Sequence, residues 1–473
     1  MNISIHKLVG ALAAILAGAV AAGAGVAAQS REELRPGTLT ASVVCAKTPE
    51  QSYAIYLPSS YDAKRAWPII YALDPLARGA VPVEMLRAAA EKYGYIVVGS
   101  HNSRNGPGTI QYAAMNAMWA DTHQRFNIDD KRVYLTGFSG GARAATMIAF
   151  GCGNCAAGII AHGAGFLREM PPTKDIPYSY YAAIGTRDYN YPELVQLARK
   201  LSELKVTHRL RPFDGAHQWA TADAWMEAVE WMELRAMKEN RRERDPAFAA
   251  DYARRMGERA AAMEAAGDAY GALREYEQLV TDLNGLADAA PFAAHAERLK
   301  ASPAAREGRE REERDFRKQE QLVGALYDQL DLLRNDARAR VEAADNLRSR
   351  LRRLAADYER VKDKPEGLVL GRALNQMGAG IISTAEQELF REGGKEVAIL
   401  CYEIYSDAYP KLPGPQYQIA RLAAEMGQKK KALRALERAV ANGLPAGALE
   451  RFAKDFAAIA LEKDFQKLKA KQS

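Results

Sequence analysis

The residues with the clearest chemical potential are a serine between glycines and, later in the chain, an aspartate and a histidine. The serine lies in Gly137-Phe138-Ser139-Gly140-Gly141, a Gly-x-Ser-x-Gly pattern. Between a strand and a helix this pattern forms a turn so sharp that the flanking positions tolerate no bulk. A serine hydroxyl becomes a nucleophile when a base removes its proton and an acid orients that base. The pattern therefore predicts nucleophilic catalysis by Ser139.

The segments on either side of Ser139 are those that such a turn requires. Arg132–Thr136 is a short, mostly apolar and partly β-branched run, which predicts a strand. Ala142–Phe150 consists of helix-tolerant residues and predicts a helix. The hydroxyl would then lie at the carboxyl edge of a parallel sheet, over the positive end of a helix. The alternative is a Gly/Ser loop without catalytic function, since the pattern also occurs by chance.

Two later strand ends carry the acid and the base that such a serine needs. Tyr178–Gly185 predicts a strand, and Asp188 follows it closely. Thr207–Phe213 predicts a short strand that leads into His217. The order serine, acid, histidine is one of the known orders of such triads. Gaps of about 50 and about 30 residues leave room for the intervening βα units.

One rival acid and six further histidines have to be weighed against this assignment. Asp214 lies three residues before His217, on the same predicted loop, and we favour Asp188 over it. Of the remaining histidines, His6 lies in the leader, and His101 and His123 precede the serine. His208 lies within a predicted strand, His162 directly follows an apolar run, and His295 lies in the helical part.

The negative charge that develops on a substrate carbonyl needs two fixed N–H donors. The first is expected to be the backbone N–H of Gly140, the residue after the nucleophile. The second is expected after the predicted strand Trp67–Leu73, where the chain continues with Asp74, Pro75 and Leu76. Because proline has no N–H, Leu76 is the predicted donor.

At this point the sequence resembles the α/β-hydrolase family, and within it the branch of secreted esterases, feruloyl esterases and polyhydroxybutyrate depolymerases. The resemblance extends from about Gly37 to about Asn240 and is carried by Tyr53–Tyr61, Trp67–Pro75, Gly94–Ser100, Asp121 and Arg132–Gly141. It implies Ser139 as nucleophile, His217 as base and Asp188 as the orienting acid. Many relatives have His-Gly where this chain has Asp74-Pro75, which affects the oxyanion donor and the substrate class.

The amino-terminal segment predicts export. Lys7 precedes the apolar run Leu8–Val20, and the small residues Val26–Ala28 follow, which predicts a signal peptide (1–28) cleaved after Ala28. The apolar run is short for a membrane span, although an uncleaved anchor is the alternative. No other segment of the sequence predicts a span. We therefore expect a periplasmic or secreted protein.

Four cysteines in an exported chain suggest disulfide bonding. They are Cys45, Cys152, Cys155 and Cys401. A redox dithiol would lie at a helix N-terminus, whereas the Cys152/Cys155 pair follows a predicted helix. A zinc site would need a second pair of ligands nearby. The sequence therefore predicts no metal and no cofactor, but a structural disulfide in the hydrolase domain, with its pairing left open.

The 473 residues, 48% of them apolar, are enough for two or three domains with their own cores. A helix over 221–238 is predicted to close the catalytic domain (29–240), since the charged segment 239–246 ends in a proline. Beyond it, strand signals disappear and residues 241–473 predict an all-helical domain. The net charge of +6 forms no stripe, which argues against a nucleic-acid partner.

A repeat and a long amphipathic segment are expected within the helical half. Residues spaced by 34 positions recur between 393–403 and 427–437, which is the tetratricopeptide period, with the clearest repetition over 380–445. A similar helix follows Gly267, out of phase with the later pair. Leucines at heptad-like spacing predict one long helix over about 304–362. A generic helical bundle is the alternative; repeats would offer a surface for a protein partner.

Together these features predict an exported serine hydrolase that acts on a small-molecule or polymeric ester. A peptidase or amidase is an alternative, because the same triad serves both reactions. The second alternative is a non-catalytic interaction protein that has kept the hydrolase fold.

Overall fold

The structure, a computed structural model, describes residues 34–451 and 453–472, with no side-chain description at residue 472. The chain divides into the units Met1–Leu34 and Arg35–Ser473. Leu34 is the one residue of the first unit that the structure describes. The predicted signal peptide (1–28) therefore lies outside the described residues. The second unit contains all the elements described below.

Eight strands form one sheet in the order β1-β2-β4-β3-β5-β6-β7-β8. They are β1 (Leu39–Cys45), β2 (Thr48–Tyr56), β3 (Trp67–Leu73), β4 (Ile96–Ser100), β5 (Ile128–Phe138), β6 (Gly158–His162), β7 (Ser179–Gly185) and β8 (His208–Phe213). Only the pairs β1–β2 and β2–β4 are antiparallel. Strands β3, β4, β6 and β7 are entirely buried, and β5 is buried from Val133 to Phe138, as apolar runs in a parallel sheet covered on both faces should be.

Five helices accompany the sheet: α1 (Ala80–Tyr93), α2 (Gly108–Arg125), α3 (Gly140–Cys152), α4 (Tyr191–Glu203) and α5 (Ala222–Lys238). Successive strand residues point to opposite faces. On β3, Ile70 belongs to the core shared with α1 and α5. Its neighbour Tyr71 stacks on Trp119 of α2, with ring centroids 5.5 Å apart. Helices therefore cover both faces, which confirms the predicted α/β-hydrolase architecture.

The second half is helical, as predicted. Its helices are α6 (Pro246–Ala265), α7 (Ala269–Leu283), α8 (Ala290–Lys300), α9 (Pro303–Val323), α10 (Leu326–Asn335), α11 (Arg340–Val361), α12 (Pro365–Glu388), α13 (Lys395–Ala408), α14 (Pro413–Glu425), α15 (Lys429–Ala441), α16 (Ala448–Arg451) and α17 (Lys463–Gln472), with a 3₁₀ segment at Ala453–Ile459. Among the described residues, none of these helices is both long and apolar enough to cross a membrane.

The segment 304–362 differs from the predicted single long helix. The structure divides it into α9, α10 and α11. The first break falls at Gly324 and Ala325, where Ala325 has φ +60°, a left-handed conformation that ends an α-helix. The second break lies between Asn335 and Arg340. Most of the heptad-like leucines are buried nonetheless, because α10 and α11 pack on each other and all three helices pack on α12.

The predicted boundary near residue 240 coincides with the end of α5, but the packing continues beyond it. The apolar core of the sheet and α5 extends without interruption into α6 and α7. Arg209 of β8 is fully buried and forms ion pairs with Glu227 of α5 and with Glu275 and Asp282 of α7. Buried charges need such partners. The division into domains 29–240 and 241–473 stays a prediction.

The glycines of the predicted repeat occupy equivalent positions. Gly393 (φ +73°) lies just before α13 and Gly427 (φ +72°) just before α15, both left-handed, a conformation that glycine adopts without strain. Gly267 (φ +84°) precedes α7 in the same way. The tetratricopeptide assignment stays a prediction.

A disulfide joins Cys152, the last residue of α3, to Cys155, just before β6. It lies in the hydrolase part, as the predicted structural disulfide does. Cys45 and Cys401 are buried free thiols.

Candidate active site

Ser139 lies on a strained turn between β5 and α3. Its φ of +52° and ψ of −119° belong to no common conformation of a non-glycine residue, and its N–H donates to the His162 carbonyl at 2.8 Å. A Cβ atom at position 137 would lie 2.2 Å from the Gly141 carbonyl carbon, and one at position 141 would lie 1.9 Å from the Leu73 carbonyl oxygen. The two glycines of the motif are therefore required by the close approach of the backbone.

The structure brings the three predicted catalytic side chains together. Ser139 Oγ lies 2.9 Å from His217 Nε2, and His217 Nδ1 lies 2.9 Å from Asp188 Oδ2. With the proton on Nδ1, the histidine donates to Asp188 and accepts from the serine hydroxyl. Asp188 is fully buried, and the Asn190 N–H donates to its Oδ1 at 2.8 Å. This chain of hydrogen bonds can transfer the serine proton to the imidazole.

The sheet explains why residues so far apart in sequence meet. Strands β5, β7 and β8 run parallel, so the turns at their carboxyl ends lie at one edge. The acid-bearing and histidine-bearing loops are joined by the backbone, since the Arg187 N–H donates to the Gly215 carbonyl at 2.8 Å. The His217 ring lies between Phe138 and Tyr189, whose centroids are 4.7 and 4.4 Å from its own.

The rival acid does not contact the histidine. Asp214 is a surface residue with 83% of its side chain exposed, and it forms an ion pair with Arg187. His217 Nδ1 is directed instead at Asp188. The geometry therefore supports Asp188 as the partner of the histidine.

The oxyanion side of the site is partly as expected. Gly140 is the first residue of α3, so its N–H lies at the helix N-terminus beside Ser139. The Leu76 N–H donates to Asp74 Oδ1 at 2.9 Å within its own turn. An oxyanion would have to share this N–H with the carboxylate. The assignment of Leu76 as the second donor stays a prediction.

Asp74 organises the loop that follows β3. It is completely buried and accepts hydrogen bonds from Arg78 Nε at 2.9 Å and Trp219 Nε1 at 3.0 Å. Burial by itself raises the pKa of Asp74, but the hydrogen bonds from Arg78, Trp219 and Leu76 outweigh it, so the pKa lies below the usual value. Its carboxylate thus fixes the turn after β3 and holds Trp219 beneath the site.

A second histidine beneath the site has no polar partner. His162, at the end of β6, is fully buried, and its ring lies 5.3 Å from that of Trp219 and 4.0 Å from that of Trp225. Neither of its ring nitrogens has a hydrogen-bond partner. Burial lowers the pKa of His162 to about 3. The imidazole is therefore neutral in the folded protein at ordinary pH.

We expect His162 to make the protein acid-sensitive. Between pH 6.5 and pH 3 the unfolded chain binds a proton at this residue that the folded chain excludes, so stability falls as the pH falls. When the pH is lowered from 6.5 to 4.5, the free energy of unfolding should decrease in both proteins. The decrease should be roughly 2 kcal/mol smaller in His162→Phe than in the wild type. Urea unfolding of both proteins at the two pH values measures this. Parallel losses would show that His162 does not titrate in this window.

The strand order and the strand–turn–helix at Ser139 define the amino-terminal part as an α/β-hydrolase fold. No protein-family model matches the chain, and no curated protein matches it. Among solved structures it is similar to an S-formylglutathione hydrolase from Staphylococcus aureus, with 14% identity over 42% of this chain and 98% of that one (TM-score 0.34). It is also similar to Est1E from Butyrivibrio proteoclasticus, with 12% identity over 41% of this chain and 99% of that one (TM-score 0.33). A third similar structure is a feruloyl esterase module from Clostridium thermocellum, with 15% identity over 41% of this chain and 89% of that one (TM-score 0.34).

Within the described part of the chain, no group of three or more His, Cys, Asp or Glu side chains is arranged to hold a metal ion. Sequence reasoning missed the residues from the helical half that reach the site. Gln319, Arg372 and Glu386 all contact loops next to the triad. Their positions in helical, repeat-like sequence carry no signal for such a role.

Proposed function

We propose that this protein is a serine hydrolase that cleaves a carboxylic ester through an acyl-enzyme. The observation that carries the proposal is the hydrogen-bonded series Ser139–His217–Asp188, with 2.9 Å between serine and histidine and 2.9 Å between histidine and acid. A strained serine, a histidine in reach and a buried carboxylate behind it have the geometry of an activated nucleophile.

In the proposed reaction, Ser139 Oγ attacks the ester carbonyl carbon while His217 Nε2 takes the hydroxyl proton. Asp188 stabilises the imidazolium, and the Gly140 N–H, at the positive end of α3, donates to the oxyanion. The histidine then gives its proton to the departing alkoxide, which leaves as the alcohol. A water molecule, deprotonated by His217, attacks the acyl-enzyme, and the acid leaves while Ser139 recovers its proton.

Export is part of the proposal. The predicted leader supports it, as does the Cys152–Cys155 disulfide, because disulfides persist in oxidising compartments such as the periplasm or the exterior. A protein partner for the helical half is proposed on the predicted repeats alone.

The test is labelling with a fluorophosphonate, which reacts with activated serines, followed by turnover of matched p-nitrophenyl esters and p-nitroanilides. We expect labelling, turnover of the esters and little turnover of the anilides. Preferred cleavage of the anilides would support the peptidase alternative. A folded protein with neither labelling nor turnover would support the non-catalytic one.

A further inference from the structure

The loop that carries the catalytic acid is held from two sides. We call residues 186–190 the acid loop. On the hydrolase side, the Thr186 N–H donates to the Phe213 carbonyl at the end of β8, at 2.8 Å. The carbonyl groups of Thr186 and Tyr189, which flank the acid in sequence, accept hydrogen bonds from the helical half instead.

Arg372 of α12 binds the carbonyl that lies two residues before the acid. Its guanidinium donates from Nε to the Thr186 carbonyl at 2.8 Å, and Nη2 donates to the same oxygen. The guanidinium also lies 4.3 Å from the centre of the Tyr191 ring, at the start of α4. The Arg372 side chain is buried, so both contacts belong to the packed interior. Arg372 therefore fixes the backbone on the amino-terminal side of Asp188.

Gln319 of α9 binds the carbonyl directly after the acid. Its Nε2 donates to the Tyr189 carbonyl at 2.9 Å and to Gln376 Oε1 of α12 at 2.8 Å. A reversed amide would place its oxygen against both acceptors, so these two bonds fix its orientation. The Tyr189 ring packs on the imidazole of His217, with centroids 4.4 Å apart. Gln319 therefore fixes the backbone on the other side of Asp188, together with a ring that packs on the base.

The charge of Arg372 is used in an unusual way. The buried Arg209 forms three ion pairs, whereas the hydrogen bonds of the Arg372 guanidinium go to a neutral carbonyl. Burial lowers the pKa of Arg372, although nearby acidic groups, Asp188 among them, raise it. Taking a charge out of water costs free energy that ion pairs usually offset. Here the charge strengthens the hydrogen bond that holds the acid loop.

We propose that Arg372 and Gln319 are positioning residues, which hold the backbone on both sides of Asp188 so that its carboxylate stays within hydrogen-bond distance of the catalytic histidine. The inference rests on the proposed function of Ser139, and it gives the helical half a part in catalysis through these two side chains. Neither residue is one of the triad, so loss of either should lower kcat and leave KM nearly unchanged. Misplacing a catalytic group by about 1 Å can cost about 10²-fold in rate.

The first test measures kcat and KM for p-nitrophenyl acetate in the full-length protein, with active sites counted by the end point of fluorophosphonate labelling. Arg372→Met keeps an unbranched side chain over Tyr191 but removes the donors and the charge. Its kcat per labelled site should fall about 30-fold, with KM within about twofold of the wild-type value. Arg372→Lys keeps a charged donor and should recover at least about threefold of this loss.

Arg334→Met is the matched control. Arg334 of α10 forms an ion pair with the buried Glu388 at the end of α12, at 2.8 Å. This variant also loses an ion pair of the helical half, so a general loosening of that half would appear in it. A merely structural effect lowers the number of labelled sites, whereas kcat per labelled site should stay within about twofold of the wild type.

A double-mutant cycle tests whether Arg372 acts through the acid. If it does, Arg372→Met should cost less than about threefold in kcat when Asp188→Asn is already present. Gln319→Met provides the same comparison from α9, with an expected loss of about fivefold in kcat. We expect this variant to fold, because it also removes a buried amide oxygen that has no hydrogen-bond partner among the described residues.

Two results would overturn the inference and leave the proposed esterase intact. One is a wild-type kcat per labelled site in Arg372→Met, or in Gln319→Met if the first variant does not fold. The other is an equal loss with and without Asp188→Asn. Absence of labelling and of ester turnover in the wild type would overturn the proposed function, and the inference with it.

Discussion

Ser139→Ala is expected to lower ester turnover by roughly 10⁴-fold or more and to abolish fluorophosphonate labelling. The variant loses the oxygen that forms the acyl-enzyme and keeps the neighbouring donors. Folding should be retained, because alanine and serine are equally strained at φ +52° and only one hydrogen bond, to His217, is lost. The melting temperature should stay within a few degrees of the wild-type value.

Ser202→Ala is the matched control for this substitution. Ser202 lies on the exposed face of α4, where its hydroxyl donates to the Ala198 carbonyl at 3.1 Å. Labelling and turnover should be unchanged in this variant. If the Ser139→Ala protein is still labelled at the wild-type rate, another serine is the nucleophile.

Asp188→Asn is expected to reduce kcat by about 10³- to 10⁴-fold. The amide nearly matches the carboxylate in shape, but it carries no charge to stabilise the imidazolium. It also offers its NH₂ group to His217 Nδ1, which favours the tautomer that cannot accept the serine proton. Because Asp188 is fully buried among existing hydrogen bonds, thermal melting should be recorded beside the kinetics.

Asp214→Asn provides the comparison that decides between the two acids. Asp214 pairs with Arg187 at the surface, and an exposed pair of this kind contributes little to stability. We expect its kcat to change less than about twofold. A large loss in Asp214→Asn together with a small one in Asp188→Asn would reverse the assignment of the acid.

The triad could be predicted from the sequence because its determinants are local. The glycines around Ser139 indicate a turn that only glycine permits. The apolar runs before Asp188 and His217 predict strands. Parallel strands end at one edge, so three short patterns were enough to bring three side chains together. The sequence already favoured Asp188 over Asp214, and the direction of His217 Nδ1 supports that preference.

The details of the oxyanion loop could not be predicted from the sequence. Asp74 was visible as a departure from the pattern of the family that the sequence resembles, but its hydrogen bond to Trp219 joins residues 145 positions apart. The Leu76 N–H donates to the buried Asp74 carboxylate. Which donors such a carboxylate binds depends on all the groups that folding places around it.

Heptad-like leucines over 304–362 determined that these residues are helical and which face is buried. They did not determine one continuous helix, because the apolar period continues across Ala325, whereas the backbone turns there and α9 and α10 each pack on α12. In the same way, the sequence determined the class of fold and the candidate triad. Only the tertiary structure placed α12 beside the triad, since the bond from Arg372 to Thr186 spans 186 residues and no local periodicity encodes a contact at that separation.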